Sequence, residues 1–474
     1  MVNILRYAFL IFCTLLVWAA TVNYGFAQNP NFNPKQTFSK QALVADFRQL
    51  RTMLETELAN LYLYTPKSEV DALFDSCEWA IDSMNYESFY NLVTPVLSRI
   101  KDGHALLLPG QKYLNYHDEH SGFLPFNAAY IEGNLIITQN FSDNAALAPG
   151  TQILAINQVS ASEIHNFMMV RLVREGHNVN YGEWIFNTFF KDFYSFSFGH
   201  PSRFNLNLAS NTGDITSITI DAIAKDSIIA IKNRTLSINK NGIYLNHNSE
   251  TKTSVLVIKT WDKDLLKKRY HQRFKPQIRK AIRAVKKQNA SNLIIDLRGN
   301  QGGKAEYGIY LMRHLMPCKF KYVDGIFKVH KHRDTGQELQ AVSNKIVRYY
   351  LPKFNAFHGK IYILTDGGSF SNSAIFTSRM HFYKRAEIVG QASGGSAVVL
   401  TGSFGLGTHK PLTNTGMVFD KNNYRILIEN GKPLTGYGVT PDFSIETKVQ
   451  DIVNKIDPQM EFTIGLIKKR QSQP

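Results

Sequence analysis

Ile361-Tyr362-Ile363-Leu364-Thr365-Asp366-Gly367-Gly368-Ser369-Phe370-Ser371-Asn372-Ser373-Ala374-Ile375-Phe376 is the stretch whose reading decides the fold. Four β-forming residues, Ile361 to Leu364, run into a tight Gly367-Gly368 turn, and a serine-rich helix start follows. A buried strand that ends in glycines and hands a hydroxyl to a helix N-terminus can present a nucleophile. The helix's free amides and positive end favour negative charge forming nearby. The same serines could simply cap the helix. Spacing alone leaves Ser369, Ser371 and Ser373 equally open, so the rest of the chain has to discriminate.

Two other stretches are built the same way. Asn292 to Gly303, NLIIDLRGNQGG, is a short apolar strand followed by a loop in which Gly302-Gly303 can bring backbone amides close to a ligand. A strand from Ala386 to Val389 leads to Gly390-Gln391-Ala392-Ser393-Gly394-Gly395. With a further strand at Ser254 to Lys259, the chain from Gly242 onward reads as α/β. Its three glycine loops are expected to meet at one rim, where the sites of such sheets lie.

Upstream the pattern changes. From Ser39 to about Ile100 the apolar spacing is helical: Phe47, Leu50, Leu54, Leu58 and Leu61 mark a first helix. A second is expected to open on a Ser68-x-x-Asp71 capping box, and a third to be kinked at Pro95. The third stops at Lys101-Asp102-Gly103-His104, which leaves His104 at the start of the next segment. From about Tyr113 to Ala224 the pattern is of short strands and turns, with a hairpin through Gly133-Asn134. Asn144 to Phe167 resembles the central stretch of a PDZ domain, a module that adds extended peptides to a sheet edge.

The first residues differ from the rest. Arg6, an apolar run from Ala8 to Ala20, and Gly25-Phe26-Ala27 describe a secretory signal peptide cleaved after Ala27. The run is short for a membrane span. The expected protein is therefore exported, to the periplasm or envelope if bacterial, with no stable transmembrane anchor. Only Cys77 and Cys318 would remain, either as one disulfide or as two buried thiols. No zinc-type spacing is present, and His330-Lys331-His332 reads as solvated surface, so no metal or cofactor is expected. The 474 residues carry a net charge of +16, much of it between Lys263 and Lys287. That segment reads as one amphipathic helix with a basic outer face. No nucleic-acid motif accompanies it, and an anionic envelope surface is the expected partner of that face.

Taken in order, the helical segment, Asp102-Gly103-His104, the PDZ-like stretch, LIIDLRGNQGG, TDGGSFSNSA and the Gly394-Gly395 loop resemble the C-terminal processing (tail-specific) serine peptidases. They look most like the tricorn-core and retinoid-binding-protein-like branch, and Gly438-Val439-Thr440-Pro441-Asp442 is similar to the segment before the last helices of that family. The resemblance implies an α+β multidomain fold: signal peptide 1–27, N-terminal helical domain 28–110, PDZ-like β-rich domain 111–232, and a crotonase-like α/β catalytic core 233–474. It also implies Ser371 as nucleophile, His104 as general base, and an oxyanion hole made by Asn372 and one amide of Gly302 or Gly303. Substrates would be peptides or proteins, without a cofactor. Gly394-Gly395-Ser396-Ala397 holds no lysine, so a serine–lysine dyad is not expected. Thr435 stands near the position where the branch has its glutamate, which leaves Asp102 or Glu429 to orient His104. The alternative implied is a catalytically weak or inactive relative that binds peptides in the envelope.

Overall fold

The computed structural model describes residues 32–33, 35–120, 122–210, 213–235, 240–332, 336–402, 410–420, 422–429 and 436–472. The signal peptide expected over residues 1–27 and Thr435 lie outside them. The fold is mixed α+β and multidomain. No helix among the described residues is long and apolar enough to cross a membrane.

The C-terminal half is built on one sheet whose strands lie in the order Ile243–Asn248, Thr253–Ile258, Asn292–Asp296, Lys360–Thr365, Glu387–Gly390 and Phe443–Ser444. Its first pair is antiparallel and the rest are parallel. Alternate residues of each strand point to opposite faces, and both faces are covered. Leu293, Ile295, Ile361, Ile363 and Ile388 pack with Phe274, Ile278, Ile375 and Phe376 from the helices Phe274–Lys287 and Asn372–Phe382. Ile294, Tyr362, Leu364 and Val389 pack instead with Ile467 of the last helix, Pro458–Gln471. Cover on two faces is why these strands read as continuous apolar runs rather than alternating ones.

Lys263 to Lys287 is not a single helix. It forms Lys263–Lys268 and Phe274–Lys287, separated where His271 takes a left-handed φ of 50°. Phe274, Ile278, Ala281, Ile282 and Val285 are buried, and Lys275, Arg279, Lys280, Arg283, Lys286 and Lys287 lie on the exposed side. Tyr270 sits in the break.

The N-terminal helices run over Lys40–Glu57, Lys67–Ala80 and Tyr86–Ile100. The second starts one residue before Ser68 behind Pro66, without a side-chain cap, so the Ser68–Asp71 capping box does not form. Asp71 pairs with Lys67 instead. Tyr86–Ile100 continues through Pro95 as one helix. Lys101, not Gly103, takes the left-handed turn that ends it.

Between these parts, Phe126–Ile131, Asn134–Asn140, Gln152–Ile156, Arg203–Ala209 and Ile215–Asp221 form an antiparallel sheet in that order. The hairpin turn falls on Glu132 and Gly133, both at positive φ, one residue before the Gly133-Asn134 expected. Ser160 opens the helix Ala161–Met169 with a complete capping box. A helix at Gln111–His120 sits where short strands were expected, and so does a longer one, Asn180–Phe198. It buries Tyr181, Phe186, Phe190 and Tyr194, and aromatic residues are mediocre helix formers, which hid it in the sequence. Cys77 is buried and Cys318 exposed, both as free thiols, so they form neither a disulfide nor a pair of buried thiols.

The two halves interlock. Leu107–Leu108 pairs with Val418–Phe419. One apolar cluster runs from the N-terminal helices through the antiparallel sheet to Phe419, Met417, Leu412 and Phe370. Phe370 belongs to that cluster, whereas Ala374 and Ile375, a helical turn further on, belong to the core of the α/β half. Ser371 therefore lies on the seam.

Candidate active site

The sheet delivers three glycine loops to one place. Gly299 N donates to Asp366 Oδ1 at 2.8 Å, which ties the first loop to the turn after Lys360–Thr365. Gly395 N donates to Ser369 O at 3.4 Å, which brings in the third. A Cβ at Gly302 would stand 2.7 Å from Ser371 Cβ and 2.9 Å from Asn372 N. So close an approach is open only to glycine, and Gly302 also holds φ at 105°.

The three serines separate clearly. Ser369 Oγ donates to Leu297 O at 2.9 Å and Ser373 Oγ to Asn300 O at 2.6 Å, and Ser373 also accepts from Trp261 Nε1. Both are fully buried and occupied in holding the loops. Ser371 is half-buried and makes no side-chain cap bond to the helix it precedes. It sits at φ 52°, ψ −119°, a conformation that costs a non-glycine residue of order 1–3 kcal/mol. A serine held on a strained strand-to-helix turn exposes its hydroxyl above the sheet. Asn372 opens that helix, and its side chain is fixed by Tyr322 Oη at 2.6 Å and Lys304 O at 3.0 Å.

Of the two loop amides, Gly302 N is already committed to Asn300 Oδ1 at 3.0 Å. The bridge to Trp261 uses Gly302 O and Lys304 N, which leaves Gly303 N outside it. Gly303 is locked by backbone contact, since a Cβ there would meet Trp261 C and Asp262 N at 2.4 Å.

His104 reaches this place from the other core. Phe370 stacks on Tyr181 at 4.0 Å between ring centroids and lies 4.6 Å from the His104 ring, so His104 packs against the residue immediately before Ser371. Asn422 Nδ2 donates to His104 O. Gly103 is needed for the approach: a Cβ there would press on Phe370 at 2.6 Å and on Glu175 Oε2 at 3.0 Å.

Behind His104 lie two buried carboxyl groups. Asp102 Oδ1 accepts from His104 N at 2.8 Å and from Thr401 Oγ1 at 2.9 Å. Glu175 Oε2 accepts from Gly103 N at 3.1 Å, and Gly176 N donates to Lys101 O. Burial pushes Asp102 up to about 6. Burial, and then the neighbouring Asp102, lift Glu175 well above the ordinary carboxylate range. Burial takes His104 down to about 4, so its imidazole is neutral at pH 7. His104 Nδ1 is 4.0 Å from Asp102 Oδ1, too far for a hydrogen bond. Of the two residues expected to orient His104, Asp102 is adjacent. Glu429 is exposed, with its backbone held by Arg379 and Asp324. Glu175 was not foreseen, because 72 residues separate it from Gly103 and no local motif marks it.

Asp366 ties the loops together, accepting from Gly299 N and Gly368 N, and burial raises it to about 6. Its carboxylate form is disfavoured in the folded chain. The associated stability is fully present below the unfolded value near 3.8 and lost as pH rises through about 6. Asp366→Asn keeps an acceptor oxygen but cannot ionise. Relative to wild type it should gain about 2 kcal/mol in urea unfolding between pH 4 and pH 7, partial exposure holding the figure there. A gap independent of pH would contradict this.

The fold has been seen before. The structure of mature CPAF complexed with lactacystin superimposes with a TM-score of 0.67, covering 90% of this chain and 98% of that one at 14% identity. Residues 252–445, which include most of the α/β half, match Peptidase family S41. The resemblance read from the motifs to C-terminal processing serine peptidases holds. A probable CtpA-like serine protease of Staphylococcus aureus (strain COL) is 26% identical over 189 residues, 40% of this chain and 34% of the relative. Its counterpart in Staphylococcus epidermidis is 25% identical over the same length. The chain thus matches about a third of the length of these curated relatives.

Proposed function

We propose that the protein is an exported serine endopeptidase in which Ser371 is the nucleophile and His104 the general base. The observation that carries this is Ser371 itself: a half-buried hydroxyl on a strained turn at a helix N-terminus, flanked by serines that are both committed to structure. Neutral His104 takes the Ser371 proton as the hydroxyl attacks a peptide carbonyl, then returns it to the leaving amine. Gly303 N and Asn372 N donate to the oxyanion, and the positive end of the helix Asn372–Phe382 adds to their effect. The reading of residues 111–232 as a PDZ-like module that feeds an extended peptide to the cleft, and of 233–474 as a crotonase-like core, belongs to the same proposal. Support comes from the S41 family match and from the CtpA-like serine proteases.

The test is covalent. Incubation with a fluorophosphonate, followed by digestion and mass spectrometry, is expected to place one adduct on Ser371. An adduct on Ser369 or Ser373 would reassign the nucleophile. A folded protein that takes no adduct would favour a peptide-binding relative without catalysis.

A further inference from the structure

Asp102, His104 and Glu175 each offer one ligand atom, and the three atoms lie within 4.8 Å of one another. This is the one such cluster among the described residues. Three of their buried atoms, Asp102 Oδ2, His104 Nδ1 and Glu175 Oε1, have no hydrogen bond of good geometry, although Asn60 neighbours Asp102 and the Tyr64 hydroxyl neighbours Glu175. Asp102 and Glu175 are 0% exposed. Buried polar atoms are almost always satisfied, and two carboxyl groups side by side need a proton or a cation between them. Arg425, whose charge acts on Asp102, spends Nε on Asn60 and Nη2 on Ala59 O rather than on either carboxyl group.

We propose that these three residues form a site for a divalent zinc-type ion, and that its occupancy switches the peptidase off. One imidazole nitrogen and two carboxylate oxygens suit such an ion, with a fourth position left for water. Ligand atoms in a tetrahedral zinc site sit about 3.3 Å apart, so the side chains need to close in by up to about 1.5 Å. The ligands are set in place by hydrogen bonds: Gly103 N on Glu175, and His104 N together with the Thr401 hydroxyl on Asp102. A neutral imidazole has one lone pair. With that pair on the ion through Nδ1, the proton sits on Nε2, and His104 cannot accept the proton of Ser371.

The inhibition depends on the peptidase reading, whereas binding does not, so binding is measured first. Competition with a chromophoric chelator on the full chain should show one tightly held Zn²⁺. Asp102→Asn and Glu175→Gln should each weaken it at least tenfold, and Ser371→Ala should leave it unchanged. No tight site, or wild-type affinity in both carboxyl variants, overturns the proposal and leaves a shared proton as the answer to the buried pair. Since the carboxyl variants could fold poorly, Ser371→Ala crystals soaked in zinc give a second reading. An anomalous peak among the three side chains is expected, and its absence overturns the site. Zinc should also abolish peptide hydrolysis, with a chelator restoring it. Tight zinc at the three residues with undiminished hydrolysis would overturn the switch.

Discussion

Ser371→Ala is expected to lower kcat/KM for peptide hydrolysis by about 10⁴-fold or more, and His104→Ala introduced on top of it to cost almost nothing further. A nucleophile and its base act as one unit. Once either is gone, the remaining rate comes from binding and the oxyanion donors, which the second substitution does not touch. The Ser371 hydroxyl makes no cap bond to the helix, so stability should stay within about 0.5 kcal/mol of wild type. If the two losses instead multiply, His104 acts elsewhere than on Ser371. If the single variant keeps its activity with an unchanged melting temperature, the nucleophile assignment is wrong.

Much of the α/β half could be read from sequence because its signals are local. Continuous apolar runs at Asn292–Asp296 and Lys360–Thr365 followed from cover on both faces, and the glycines after them from the need for close approach at Ser371. The choice among three serines could not be made from spacing. It depends on what Ser369 and Ser373 bond to, namely Leu297 O and Asn300 O, more than 70 residues away in sequence. The carboxyl pair behind His104 was half visible. Asp102 is two residues from the histidine, but Glu175 reaches it only because Gly176 and Gly103 zip one loop to another. The helix Asn180–Phe198 was missed because its aromatic residues are buried on more than one side, which blurs the helical period. That helix supplies Tyr181, the platform on which Phe370 stacks, so part of what places His104 against Phe370 was hidden in the least legible segment.

The loop glycines allow transition-state stabilisation to be separated from folding. Gly302→Ala puts a methyl group 2.7 Å from Ser371 Cβ and 2.9 Å from Asn372 N, at a φ of 105° that an L-residue resists. The loop has to withdraw from the serine and carry the Gly303 amide with it. Loss of one oxyanion donor costs about 10² to 10³ in kcat, because the bond is made only as charge develops on the carbonyl oxygen, so KM should move little. Gly303→Ala is the contrast. Its methyl group would meet the backbone of Trp261 and Asp262 at 2.4 Å, inside the bridge that anchors the loop, and the expected loss in melting temperature is larger than for Gly302→Ala, whose strained φ also costs some stability. Steady-state kinetics and thermal unfolding on both variants distinguish the two effects. A Gly302→Ala enzyme with wild-type kcat would show that the loop does not form the oxyanion hole.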